Sequence, residues 1–358
     1  MKKSLLALAV LSAFAGAASA QTNVTIYGVA DAGIRYRDSD VSDGKTWGLD
    51  SGLQSGSRIG FRGTEDLGGG LSAIFTLENG FNIDDGSLGQ GVAASSSSPA
   101  LTRLFGRQAF VGLSGGFGAV KLGRQYAPIR VAVESVDPFG LGGAGNAANF
   151  FNVHGERTDN TINYTTANFG GFSGQVAYTF GEIAGSTSDG RHIGLSGGYA
   201  NGPVNIVAAY HKQELLNGGT ATAFPSTPNG DQKTMMIGGT YDFGVAKLHA
   251  AYSRTKGESA AGATNLDRDD AMVGVSAPVG AGTILASYIR RSDDIEGTGG
   301  VSRDADQIAL GYLHNLSKRT NLYAMYARTS NDAGARLNGA GANGADPSTL
   351  MVGVRHRF

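Results

Sequence analysis

Apolar and polar residues alternate with a period of two along nearly the whole chain. Within 172–180, Phe172, Val176, Tyr178 and Phe180 fall on one face, and Ser173, Gln175 and Thr179 on the other. Met235, Ile237, Tyr241 and Phe243 oppose Thr234, Thr240 and Asp242 in the same way. Leu248, Ala250 and Tyr252 oppose Lys247, His249 and Ser253, and Ile284, Ala286 and Tyr288 oppose Thr283 and Ser287. A period of two is the mark of strands with one apolar and one polar face. Sixteen such segments are predicted, over 23–37, 57–66, 70–82, 103–115, 117–124, 158–167, 172–181, 191–200, 203–213, 233–243, 246–257, 268–277, 281–292, 305–315, 320–330 and 348–358.

The connections alternate in length. Short ones read DLGGG, GGF, NFGG, NG, FG, PVGAG and NLSKR; long ones include DSDVSDGKTWGLDSG, ELLNGGTATAFPSTPNGDQ and NDAGARLNGAGANGADPS. An antiparallel meander with all its tight turns at one end gives this alternation, and an even strand count lets it close. The expected architecture is all-β, a 16-stranded antiparallel transmembrane β-barrel. A soluble sandwich also alternates. It would need a very large core or two domains, and no linker or composition shift divides the chain. The apolar faces mix Gly and Ala with Val, Ile and Tyr. Tyrosines gather near segment ends (Tyr199, Tyr210, Tyr241, Tyr252, Tyr288, Tyr312) as an interfacial girdle requires.

The first twenty residues change the picture of location. Lys2 and Lys3 precede an apolar run, Leu5 to Ala15, too short for comfortable spanning, and Ala18-Ser19-Ala20 is a small-residue cleavage site. That is the pattern of a secretory signal peptide over 1–20, with the barrel over 21–358. A retained anchor is the less favoured reading of the same run. Cleavage would leave 27 basic against 30 acidic side chains. Near-balanced charge gives no footprint for nucleic acid. With no cysteine among 358 residues, no disulfide framework exists. The chain ends in TLMVGVRHRF, with Leu350, Val352, Val354 and Phe358 on one face and Arg355 and Arg357 on the other. A strand that closes a barrel in hydrocarbon must pair its whole edge, so this end is not free to fray.

The stretches VTIYGVADAGIRY, SRIGFRGTEDLGGGLSAIFTLENGF, LFGRQAFVGLSGGFGAVKLGRQY, DPFG and the terminal VGVRHRF occur in this order across almost the entire mature length. In this the chain resembles the trimeric general porins of Gram-negative bacteria, closest to their β-proteobacterial branch. The resemblance implies an outer-membrane, water-filled barrel for passive diffusion of small hydrophilic solutes and ions. There would be no reaction, no cofactor and no coupled energy source. It further implies a homotrimer in contact with outer-membrane lipid and lipopolysaccharide, assembled by the outer-membrane barrel machinery, with Phe358 as the assembly signal. Small outward residues on the first strand, Gly28, Ala30 and Ala32, would permit close packing of barrels.

In such porins an inward-folded third loop narrows the lumen, its acidic residues facing a ladder of arginines. The third long connection, 125–157, is the longest and is rich in apolar residues, which suits a loop packed inside. Glu134 and Asp137 lie in it at suitable places. Arg58, Arg107 and Arg157 match the wall arginines, Tyr126 an aromatic at the loop base, and Glu78 has inward parity opposite Phe75 and Leu77. Arg107 points inward on the expectation that Phe110 points out. Asp31, Arg35 and Arg62 also have inward parity; Arg124 has outward parity unless its strand ends first. An inward arginine in a wide barrel can equally be a solvated wall residue. Facing charges of opposite sign would orient pore water and disfavour apolar solutes.

Other motifs carry little. GLGGAG at 140–145 follows no strand and opens no helix, so it is no dinucleotide site. SRTK at 253–256 has S-x-x-K spacing with no partner motif. The six histidines lack zinc-ligand spacing. Asp267, Asp269 and Asp270 in DRDD read as a solvated acidic loop, with a weak divalent-cation site as the sharper alternative. A substrate-selective channel of the same fold is the runner-up; it would need an aromatic ladder along the lumen, absent from the inward set. A barrel lipid hydrolase would need Ser and His together on the outward face, where Gly, Ala, aliphatic and aromatic residues stand instead. An adhesin would not need a long lumenal loop.

Overall fold

A computed structural model describes residues 23–90, 102–214, 231–259, 262–295 and 300–358. The expected signal peptide lies outside the described residues. Strands β1 (Asn23–Asp38), β2 (Lys45–Ser51), β3 (Arg58–Gly68), β4 (Leu71–Gly80), β5 (Gln108–Gly115), β6 (Gly118–Tyr126), β7 (Arg157–Thr166) and β8 (Phe172–Thr179) make the first half of the wall. Strands β9 (His192–Asn201), β10 (Val204–Gln213), β11 (Gln232–Asp242), β12 (Lys247–Glu258), β13 (Thr264–Val279), β14 (Gly282–Asp293), β15 (Ala305–Asn315), β16 (Thr320–Asn331) and β17 (Ser348–Arg357) make the second.

From β3 onward each strand pairs antiparallel with the next, and β1 pairs with β17 from Val29↔Arg357 to Asp38↔Ser348, so the sheet closes. The sequence predicts sixteen strands, and the wall has sixteen positions. The additional strand β2 shares one of them. It covers the long-loop half of β1 (Ala32↔Ser51 to Asp38↔Lys45), while β3 covers the other half (Asn23↔Thr64 to Val29↔Arg58). Between them the chain leaves the wall over 52–57.

The two faces separate as the alternation requires. On β11, Met235 and Ile237 are exposed while Gln232, Thr234 and Met236 are buried. Tyr241, Tyr252, Tyr288 and Tyr312 are exposed on the apolar face. On β5 the parity differs from expectation. Val111 and Leu113 are the exposed outward residues, and Phe110 pairs with Thr76, so it shares the inward face with Glu78 and Gln108.

The core is the third loop. Pro128 opens helix α1 (Pro128–Val136), where a missing N–H costs nothing and φ is preset. Ile129, Ala132, Val133 and Val136 recur at helical spacing and are buried. Asp137 ends the helix in an extended conformation because Pro138 follows. A 3₁₀ turn at Ala147–Asn149 comes next. The loop packs on the inward faces of β9, β11, β13 and β15 because glycine makes room there. A Cβ placed on Gly194 would come within 2.8 Å of Pro128, on Gly238 within 3.1 Å of Val136, on Gly274 within 2.8 Å of Pro138, and on Gly311 within 3.0 Å of Phe139. All four glycines have the parity opposite the exposed apolar residues, so the loop lies inside the barrel.

The terminal strand is tied down. Gly28 N–H donates to the Phe358 carbonyl (3.0 Å) and Phe358 N–H to the Gly28 carbonyl (3.1 Å), and the Phe358 ring fills the space a Gly28 side chain would occupy.

Candidate functional site: an arginine cluster at the root of the third loop

The strand register brings Arg58 (β3), Glu78 (β4) and Arg107 (just before β5) together, because Gly60 pairs with Glu78 and Glu78 with Gln108. The Arg107 Nε donates to Glu78 Oε1 at 2.8 Å, Arg58 Nη1 lies 4.0 Å from the same oxygen, and the Tyr27 hydroxyl donates to Glu78 Oε2 at 2.9 Å. Glu78 is buried, so its charge needs these partners. Arg107 also donates from Nη2 to the Tyr126 hydroxyl at 2.9 Å, and Arg157 Nη2 to the same oxygen at 3.3 Å.

Tyr126 is the hub. The Arg130 guanidinium lies 4.0 Å from its ring centroid and the Arg157 guanidinium 4.7 Å, distances at which a cation is attracted to the ring quadrupole. Four guanidiniums, of Arg58, Arg107, Arg130 and Arg157, thus surround one tyrosine and one buried carboxylate. Glu134 pairs with Arg130 four residues earlier on α1, and Glu156 with Arg157 at 2.9 Å.

Arg58, Arg107, Arg157, Glu78 and Tyr126, all singled out from the sequence, come together here. Arg107 reaches Glu78 from outside β5, so its direction does not depend on Phe110, which points inward. Arg130 was missed; its only signal is the i, i+4 spacing to Glu134 on a helix inside the loop. Asp137 departs from the expectation of a charge facing the arginines. Its carboxylate is buried in the loop and accepts from the N–H groups of Phe139 (3.0 Å), Leu141 (2.8 Å) and Ala147 (3.1 Å). Burial pushes this carboxyl up to about 6, against the lowering by those three amides. Glu134 is half-exposed and bound to its own helix. The facing acidic wall expected of the loop is therefore absent among the described residues.

Of the remaining charges, Arg35 pairs with Asp50 (2.9 Å), and Arg124 pairs with Asp159 (2.6 Å) and donates to the Gly106 carbonyl (2.7 Å) beside Arg107. Arg62 lies 5.2 Å over the Tyr27 ring. The DRDD carboxylates are already matched: Asp267 by Arg254 (3.0 Å) and Lys256 (3.1 Å), Asp269 by the Tyr252 hydroxyl (2.8 Å), and Asp270 by Arg291 (2.7 Å). No group of three metal-ligating side chains is gathered among the described residues.

The loop's far limb is fixed by a second set of contacts. His154 bonds Thr234 (2.8 Å) and Gln213 (3.3 Å) and stacks on His211. Arg291 reaches the Phe150 carbonyl, and His249 the Val136 carbonyl at 2.9 Å.

Comparison with known proteins agrees with this architecture. The family model for the Gram-negative porin matches residues 7–334. Outer membrane porin protein 32 of Delftia acidovorans is 38% identical and an outer membrane porin protein of Bordetella pertussis 36% identical, each over the whole of both chains. The solved anion-selective porin from Comamonas acidovorans superposes with a TM-score of 0.80 at 34% identity, covering 94% of this chain and 100% of its own. A closed sixteen-position barrel, an apolar outer face and full-length kinship together place the chain in the Gram-negative porin family, as an outer-membrane porin.

Proposed function

We propose that this porin passes small hydrophilic solutes with a preference for anions, and that Arg58, Arg107, Arg130 and Arg157 form the charged wall of its constriction. The observation that carries the reading is the gathering of three guanidiniums on Tyr126 beside a fourth on Glu78; Glu78, Glu134 and Glu156 each pair with an arginine of the cluster, and no separate acidic face opposes it among the described residues. Arginines stay charged at any physiological pH. In a narrowed, partly desolvated passage their field acts at close quarters, and a ring of cationic side chains lowers the barrier for anions and raises it for cations. The similarity to the anion-selective porin of Comamonas acidovorans supports the same direction.

Diffusion needs no reaction and no cofactor, and we assign none. The working unit is a homotrimer, with Ala30 and Ala32 on the outward face of β1 as the small residues that let barrels approach. Phe358 is the assembly signal, and outer-membrane lipid and lipopolysaccharide meet the exposed apolar belt. The test is the zero-current potential across a potassium chloride gradient for Arg58→Ala and Arg107→Ala pores. Both should move toward cation preference. Unmoved potentials would remove these arginines from the constriction.

A further inference from the structure

The segment 52–57 leaves the wall between β2 and β3 and enters the lumen. One side chain holds it there. The Asp31 carboxylate, fully buried, accepts from Gln54 N–H (3.0 Å) and Ser55 N–H (2.6 Å) through Oδ2, and from the Tyr323 hydroxyl (2.6 Å) through Oδ1. Its main chain is equally engaged. The Asp31 carbonyl accepts from Gly52 N–H (2.7 Å) and the Ser57 hydroxyl (3.0 Å), and Asp31 N–H donates to the Ser57 Oγ (3.1 Å).

The other side of the segment touches the arginine cluster and the loop. Arg58 Nη2 donates to Ser55 Oγ (3.3 Å). A Cβ on Gly56 would sit 2.7 Å from Arg107 Nη1, so this guanidinium rests directly on the segment's backbone. The Leu53 carbonyl accepts from Gly143 N–H (2.8 Å) at the tip of the third loop. Gln54 Oε1 accepts from Asn321 Nδ2 (2.9 Å), whose Oδ1 accepts from Arg355 Nε (3.0 Å).

We infer that Asp31 is a positioning residue of the pore: through segment 52–57 it sets a second jaw of the constriction and with it the placement of Arg58, Arg107 and the tip of the third loop. The selectivity part rests on the anion reading above; the geometric part does not. Three donors converge on this carboxylate: two main-chain amides on Oδ2 and a phenol on Oδ1, each bond strengthened by the carboxylate charge. An asparagine keeps the two amides only as weaker neutral bonds to its Oδ1 and turns an NH2 toward the Tyr323 hydroxyl, which must then reverse from donor to acceptor, so the hold on the segment loosens.

The sign of the effect separates positioning from simple electrostatics. Removing a negative charge from a pore wall should by itself strengthen anion preference. Loss of the frame for Arg58 and Arg107 should weaken it. The experiment compares wild type, Asp31→Asn, Tyr323→Phe and Arg58→Ala in planar bilayers, each checked for heat-modifiable barrel mobility. It reads the zero-current potential and the largest neutral polyethylene glycol that enters the pore. Asp31→Asn should lower the anion-to-cation permeability ratio by at least about twofold, within what one hydrogen bond to a charged group controls. It should also admit larger polymers. Tyr323→Phe, which changes no charge and keeps the ring, should shift both in the same direction by less. A ratio that rises or stays fixed in Asp31→Asn while Arg58→Ala lowers it overturns the positioning of the arginines. An unmoved Arg58→Ala pore overturns the anion reading instead, and the polymer limit then judges the jaw alone: an unchanged limit in Asp31→Asn and Tyr323→Phe overturns it.

Discussion

The guanidinium of Arg130 lies 4.0 Å above the Tyr126 ring, and so joins the third loop to the strand from which the loop departs. Arg157, at the loop's other end, stacks on the same ring at 4.7 Å. The loop's two roots are thus bound through one side chain. Replacing Tyr126 with Ala removes two cation–π contacts, each worth about 0.5–2 kcal/mol, and the phenol that Arg107 bonds. The expected result is a pore with higher single-channel conductance, noisier open current and weaker anion preference. Tyr126→Phe keeps the ring and should retain most of the wild-type behaviour. Equal effects of Phe and Ala would show that the hydroxyl, not the ring, does the organising.

Glycines on the inner wall make the bed of the loop. Gly274 lies beneath Pro138, and its φ is ordinary for a strand, so the constraint is space and not backbone conformation. Gly274→Val meets the Ala286 carbonyl (2.9 Å) as well as Pro138, so it strains the β13–β14 ladder and pushes the loop toward the opposite wall, reducing conductance; overpacking of this kind costs about 1–3 kcal/mol. The matched control is Gly239→Val on the outward face of β11, whose Cβ meets a ladder carbonyl (Asn205, 2.8 Å) but no loop residue, and which should leave conductance unchanged. Equal conductances in the two variants would contradict this account of the loop's seat.

Phe358 closes the barrel by two backbone hydrogen bonds to Gly28 and covers that glycine with its ring. Deleting it exposes the Gly28 N–H and C=O on the membrane-facing edge, at several kcal/mol if they are unsatisfied in hydrocarbon. Surface levels of folded trimer should fall severalfold, while the few channels that assemble should conduct like wild type. Normal surface levels would refute the role of the terminus.

Acid should loosen the loop's far limb through His154. Burial pulls this imidazole down to about 3, from an ordinary value near 6.5. Between these values the unfolded chain binds a proton that the folded chain refuses. Stability from the neutral His154 is therefore complete above about pH 6.5 and is lost as pH falls, by up to about 1.4 kcal/mol per unit. Nearby His192 and Arg268 oppose a charge there as well. Asp137 works the other way, since its raised carboxyl gains from acid between its unfolded value and about 6. That contribution cancels when wild type is compared with His154→Gln. The stability difference between them, from urea midpoints, should shrink or reverse from pH 7.5 to pH 4. A difference independent of pH would place the proton uptake elsewhere.

The barrel was legible in the sequence because the membrane demands one oily and one wet face on every strand, and that demand writes itself as period two. The arginines at 58, 107 and 157 were found through motifs that the family resemblance supplied. What escaped notice lacks such a pattern. Strand β2 has only Trp47 and Leu49 to mark its outward face. Segment 52–57 is set by Asp31 and Tyr323, which bond across the β1–β17 seam and β16, a relation no local window contains. Phe110 breaks the rule that a large apolar residue in a strand faces lipid, because the lumen there offers a partner, with the Lys121 ammonium 5.5 Å from its ring centre. Asp137 reads as a loop charge until its three amide donors are seen. Arg130 is hidden because it belongs to a helix inside a loop.

Whether the water-filled pore is cationic at its narrowest part is read from the zero-current potential of wild-type trimers under a tenfold potassium chloride gradient. The potential should take the sign set by chloride. A potential of the sign set by potassium would contradict a cationic constriction, whatever the conductance.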